Sequence, residues 1–170
     1  SSGSLTLRNS TLAYGQSHGL YAYNPVALTL TDNTFQNNGT YAAYLYFSYS
    51  GVSPTLSGNS ATGNVVNGIG LGGTMNATTL PAGAGIPYVV SGLTVNTGAS
   101  LVLQPGVVMK FSGTSLYVNG TLNAQGTVTN PIVFTSLKDD TFGGDTNNDG
   151  NITTPAAGDW RSIRVSGVAI

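Results

Sequence analysis

Residues 91–136 read SGLTVNTGASLVLQPGVVMKFSGTSLYVNGTLNAQGTVTNPIVFTS, which divides into two superimposable lines. Leu93 and Val95 recur as Leu116 and Val118, 23 residues on, and Met109 and Phe111 recur as Ile132 and Phe134, again 23 on. Leu101 and Leu103 recur as Leu122 and Ala124, 21 on. Each pair is apolar-x-apolar, the period of a strand with one buried face. A unit of about 23 residues therefore holds three short strands separated by turns, and then repeats. Three strands per unit with no helical stretch between them imply an all-β fold, a right-handed parallel β-helix. In such a solenoid each strand stacks on its counterpart one coil away, about 4.8 Å along the axis.

The ladders extend backwards through the chain. One runs Leu20/Ala22, Ala43/Leu45, Ile69/Leu71 and on to Leu93/Val95. A second runs Leu5/Leu7, Leu28/Leu30, Pro54/Leu56, Leu80 and Leu101/Leu103, and a third runs Leu12, Phe35, Ala61 and Tyr88/Val90. They predict about six coils in a single segment over 1–170, looser over 1–71 and regular over 88–135. Residues 72–87, GGTMNATTLPAGAGIP, read as a seam between two coil styles. Asn9, Asn33 and Asn59 recur 24 and 26 apart, and Asn38 and Asn64 recur 26 apart. Such spacing predicts two files of stacked turn amides, since Asn tolerates left-handed turns and its amide can bond along the axis.

After Phe134 the rhythm stops. Residues 136–158 form a polar insertion, and 159–170 resume the coil, with Ile163-x-Val165-x-Gly167 matching Leu116-x-Val118-x-Gly120 at a spacing of 47. Long excursions from a solenoid sit on one face and often bind something. The insertion reads Asp145-Thr-Asn147-Asn-Asp149-Gly150-Asn151, the first half of a calcium loop in which oxygen ligands at alternate positions converge on one cation. The position of the usual closing Glu is Ala156. Asp159 is therefore expected to close a Ca2+ shell of Asp145, Asn147, Asp149 and Asn151, the alternative being closure from the other side by Asp139 and Asp140. Five of the six acids of the chain lie between Asp139 and Asp159, which supports a clamp for a long insertion.

Composition narrows the function. Charged residues are 6%, net charge is −1 and there is no Glu, which excludes the basic footprint of a nucleic-acid binder and leaves few carboxylates for catalysis. There is no Cys, hence no disulfide framework or thiolate site, and no apolar run long enough for a membrane span. Tyr21, Tyr23, Tyr44 and Tyr46 alternate with inward residues and should stack on the outer face. That face reads either as cross-strand packing or as a surface for a glycan or lateral neighbour. His18, the only histidine, has no acid or nucleophile in register with it and reads as a turn residue; Lys110, Arg161 and Arg164 read as isolated outward charges.

Several runs, Pro105-Gly106, GTLNAQGT (120–127), PIVFTS (131–136), GGDTNNDG (143–150) and Gly158-Asp159-Trp160, resemble segments of large bacterial secreted and surface proteins. Those proteins carry right-handed β-helices of the pectate-lyase-like superfamily. The resemblance spans residues 88–166. It implies an extracellular location and, in the related enzymes, cleavage of acidic polysaccharides by clustered Asp, Lys and Arg on the helix face. No such cluster stands in this sequence, so no catalytic residue carries over. The expected role is a rod or filament repeat of a surface fibre or adhesin. Copies of itself would stack end to end, since Ile163 would meet the next Leu20 one ordinary coil later. The alternatives are part of a polysaccharide-degrading enzyme, or a glycan-binding module.

Overall fold

The computed structural model describes residues 3–166. Gly167 and the junction between the two chain ends lie outside the described residues. The chain winds through six coils. The first holds β1 (Ser4–Arg8), β2 (Thr11–Ala13) and β3 (Leu20–Tyr23); the second β4 (Ala27–Thr31), β5 (Thr34–Gln36) and β6 (Tyr41–Ser50). The third holds β7 (Thr55–Ser57), β8 (Ser60–Thr62) and β9 (Val66–Met75). The fourth holds β10 (Thr78–Leu80), a 3-10 turn (Ala82–Ala84) and β11 (Tyr88–Val95); the fifth β12 (Ser100–Leu103), β13 (Val108–Phe111) and β14 (Leu116–Val118). The sixth holds β15 (Thr121–Ala124), β16 (Val133–Ser136) and, after the insertion, β17 (Ile163–Val165).

All ladder pairs are parallel. In the first three coils β1-β4-β7 and β2-β5-β8 form two walls, and in the last three β10-β12-β15 form another. The third wall is one sheet of eight strands that passes through all six coils. Alternation fills the core: Leu28, Leu30, Phe35, Leu45, Ile69, Leu71, Leu93, Leu101, Met109 and Leu116 are all buried, and together they form one apolar cluster. Parallel pairing leaves no hairpins, so each turn must place the chain back in register one coil higher.

Most ladder pairs stand where the spacing puts them. Leu20 pairs with Ala43, Ala43 with Ile69, Leu5 with Leu28, Leu12 with Phe35, Leu101 with Leu122, and Leu116 with Ile163. The seam departs from the expected ladders in three places. Ile69 and Leu71 pair with Tyr88 and Val90, while Gly73 and Met75 pair with Leu93 and Val95. Leu56 is not followed by Leu80: the edge of β7 is covered by the 3-10 turn, through Gly58 N to Gly83 O at 3.0 Å, and Leu80 begins a new wall with Leu103. Ala61 is likewise not followed by Tyr88. The cause is strand length. β6 and β9 have ten residues each, so one strand supplies two ladder positions and turns the corner without leaving the sheet. Gly73 makes the bend with φ 86°, and a Cβ there would meet the Phe47 carbonyl oxygen at 2.0 Å. A fourth departure lies higher up: Met109 pairs with Phe134 and Phe111 with Ser136, because the turn closed by Thr127 N to Asn130 O takes up two more residues than the 23-residue spacing allows.

Both amide files exist. Asn33 donates from its backbone N and from Nδ2 to Asn59 Oδ1, at 3.1 Å each, and Asn38 does the same to Asn64 Oδ1 at 3.0 and 2.7 Å. Asn9 is not a member of the first file. It sits one residue earlier, in the left-handed position (φ 49°) that Asp32 takes in the next coil, and Ser10 N donates to Asn33 Oδ1.

Candidate functional site

The outer face of the eight-stranded sheet carries the chemistry, and it is divided in two. Its upper half lies under the insertion. Val89 and Lys110 point out of the solenoid but are almost wholly covered, at 1% and 0% exposure. Lys110 is thus not the free surface charge that its isolation in the sequence suggests. Its ammonium donates to Asp139 O and Gly144 O at 2.8 Å each and to Thr146 Oγ1 at 2.6 Å. Burial pulls the Lys110 pKa down, and the carboxylates of Asp140, Asp139 and Asp145 pull the other way. Arg161 and Arg164 are exposed, as expected.

A second anchor extends the Asn38–Asn64 file. Asn67 accepts from Asn64 at Oδ1, and its Nδ2 donates to Asp145 O at 3.1 Å while its backbone N donates to Thr146 O at 2.8 Å. The far end of the insertion is held by Asp159, which takes Ser136 Oγ at 2.7 Å, Ala156 N at 2.9 Å and the Lys138 ammonium at 2.8 Å. The bond from Lys138 leads the set that lowers the Asp159 pKa to about 2. Trp160 then stacks on Phe111 at 4.5 Å and returns the chain to the core.

Between these anchors Asp140, Asp145 and Asp149 converge, with one carboxylate oxygen of each within 4.8 Å of the others. Asp145 accepts Asp149 N at 3.0 Å and Gly150 N at 2.9 Å, which curls the loop round it. Asp149 accepts Asn147 Nδ2 at 2.7 Å, Thr153 N and Thr153 Oγ1. The Thr153 hydroxyl is the largest cause holding the Asp149 carboxyl below its ordinary range. Burial, followed by the negative charge of Asp145, raises the Asp140 carboxyl instead. Asp140 Oδ1 and Asn147 Oδ1 are buried without a hydrogen-bond partner. Oxygen atoms of this kind in an acidic pocket suit a hard cation. Of the residues expected to ligate, Asp145, Asn147 and Asp149 come together. Asn151 forms the left-handed turn beside them (φ 71°) and lines a cleft with Asp140. Asp159 is engaged by Lys138 and Ser136, and Asp140 stands in the cluster.

The lower half of the face is uncovered and aromatic. Tyr21 stacks on Tyr44 with centroids 6.0 Å apart, and Tyr23 on Tyr46 at 5.7 Å with planes 8° apart. His18 joins them, stacked 4.9 Å from Tyr44 and 5.6 Å from Tyr21, with Nδ1 2.6 Å from Thr40 Oγ1. Partial burial lowers the His18 pKa, which disfavours the cationic ring. Tyr41 adds an edge-on contact to Tyr44. Neither His18 nor Tyr41 is in register with the Tyr21/Tyr44 pairs, which is why alternation alone misses them. The glycines of the next coil explain the tilt of the stack: a Cβ on Gly70 would meet the Tyr44 ring at 2.4 Å, and one on Gly72 would meet its hydroxyl at 2.2 Å. Tyr44 lies against bare backbone, and its hydroxyl reaches Ser91 O at 3.4 Å.

These features define a parallel β-solenoid of about six turns. The family model described as the right handed beta helix region matches residues 1–80, the first three coils and the start of the fourth. The remaining coils continue the same sheet, and the chain is a right-handed parallel β-helix. No curated protein and no solved structure matches it. Among the described residues no helix is long and apolar enough to cross a membrane.

Proposed function

We propose that this chain is a structural rod segment of an extracellular surface fibre or adhesin, with calcium clamping the insertion onto the rod. The observation that carries the reading is the single eight-stranded parallel sheet that joins two coil styles through the seam. Parallel pairing of the kind that joins β9 to β11 would also add further coils, from the same chain or from other copies, at about 4.8 Å of rise each. The calcium part is supported by the convergence of Asp140, Asp145 and Asp149 and by the orphaned oxygens of Asp140 and Asn147. A weak oxygen site of this kind is filled where calcium is millimolar, as it is outside cells.

A screen for turnover of neutral and acidic polysaccharides, with calcium and with chelator, tests the rod against an enzyme. No turnover is expected. Turnover that disappears in Asp145→Asn or Asp149→Asn would establish the enzymatic reading instead.

A further inference from the structure

We propose that the aromatic lower half of the outer sheet face binds a neutral polysaccharide with flat, equatorially linked pyranose units, of the β-1,4-glucan type. The inference is independent of the calcium clamp and adds an activity to the rod. Tyr21 and Tyr23 project from β3, the terminal strand of the sheet, and are 52% and 54% exposed, each in register with a tyrosine of β6. Isolated exposed tyrosines need no explanation, but a ranked group does. Here the rings overlap like shingles. Gly70 and Gly72 let Tyr44 lie down on the next coil, Tyr21 stacks on Tyr44, and His18 stacks on both. The sheet therefore presents a group of stacked rings held by packing, two of them more than half exposed.

Charge selects the ligand. Arg8 and Asp32 are the only charged side chains of residues 1–75; Arg8 ends β1 and Asp32 stands in the bend after β4, neither on this sheet. Partial burial of His18 disfavours its cationic form, and no Lys or Arg stands among these aromatic residues to pair with a uronate or a sulfate. A neutral pyranose chain matches such a surface. Its axial C–H groups pack on ring faces, and its equatorial hydroxyls reach the phenols and the open ring nitrogen of His18. The upper half of the same face is unavailable, because the insertion covers Val89 and Lys110. Bound chains would therefore be confined to the coils that carry the tyrosines.

Affinity electrophoresis in gels containing hydroxyethyl cellulose tests this, with polygalacturonate gels as the charged control. The wild-type chain should be retarded by the neutral polymer and not by the acidic one. Tyr21→Ala/Tyr23→Ala should lose at least about tenfold in affinity, the effect of removing two aromatic contacts. Its melting temperature and circular dichroism control for folding, and Tyr21→Phe/Tyr23→Phe should keep most of the binding if ring faces carry it. Equal retardation of wild type and the alanine pair, retardation by polygalacturonate alone, or no retardation at all would each overturn the proposal. Sedimentation of the free chain as a dimer that the alanine pair disrupts would also overturn it, by assigning the face to self-association.

Discussion

The Lys110 ammonium lies 2.8 Å from the carbonyl oxygen of Gly144, 34 residues further along the chain, and no solvent reaches it. A cation on the outer face of a sheet is normally hydrated. Here three acceptors of the insertion replace its water, so the insertion and the upper coils are one folded unit. Lys110→Met should keep the solenoid but release the insertion. Leaving the carbonyls of Asp139 and Gly144 and the Thr146 hydroxyl without their donor costs about 1–3 kcal/mol. Hydrogen exchange reads this as lost protection at the amides of 139–149, with protection in β13 and β14 retained.

Gly70 and Tyr44 make a second testable pair. Gly70→Ala places a methyl group 2.4 Å from the Tyr44 ring and should cost about 1–3 kcal/mol, as overpacking does. In a Tyr44→Ala background the same change should cost much less, because the ring it strikes is gone. Denaturant unfolding of the four proteins of the cycle gives the coupling. A coupling near zero would mean that the tyrosines do not lie on the sheet.

Asn59 is 4% exposed and bonds to Asn33, to Leu30 O at 2.9 Å and to Ala84 O at 3.1 Å. Asn59→Ala strands several buried groups at once and should cost about 3 kcal/mol or more. Asn59→Asp should fare no better, since it loses the two donors. Asn9→Ala, outside the file, should cost far less. Thermal melting of the three variants ranks them.

Much of this was legible in the sequence, and the failures share a cause. Apolar alternation located the strands, because each coil buries one face of each strand. It did not show how the ladders pass through residues 72–87, since three short strands per coil leave no place for one long strand. The run Ile69-x-Leu71-x-Gly73-x-Met75 keeps its alternation for seven residues, a sign of one long strand with a bend at Gly73. Within the insertion, the alternating Asp145, Asn147 and Asp149 come together as spacing implies. The fates of Asp140, Asp159 and Lys110 depend on how the loop folds back over the sheet, and linear spacing carries no trace of that.

The Asp159 carboxyl, held at about 2 by Lys138, Ser136 and Ala156, gives a pH dependence. Its folded pKa lies below the unfolded value of about 4, so its stabilisation is complete above pH 4 and is lost as pH falls towards 2. Asp159→Asn should destabilise the chain at neutral pH and flatten that part of the acid-unfolding curve. Identical curves for variant and wild type between pH 4 and 2 would remove Asp159 as an anchor.

The most direct test of a calcium-clamped rod is thermal unfolding of the whole chain against free calcium. The clamp predicts a midpoint that rises with the logarithm of calcium once the site saturates. It also predicts that chelator reverses the rise and that Asp140→Asn and Asp149→Asn abolish it. A midpoint that does not move between chelator and millimolar calcium, with no heat on titration, would contradict it.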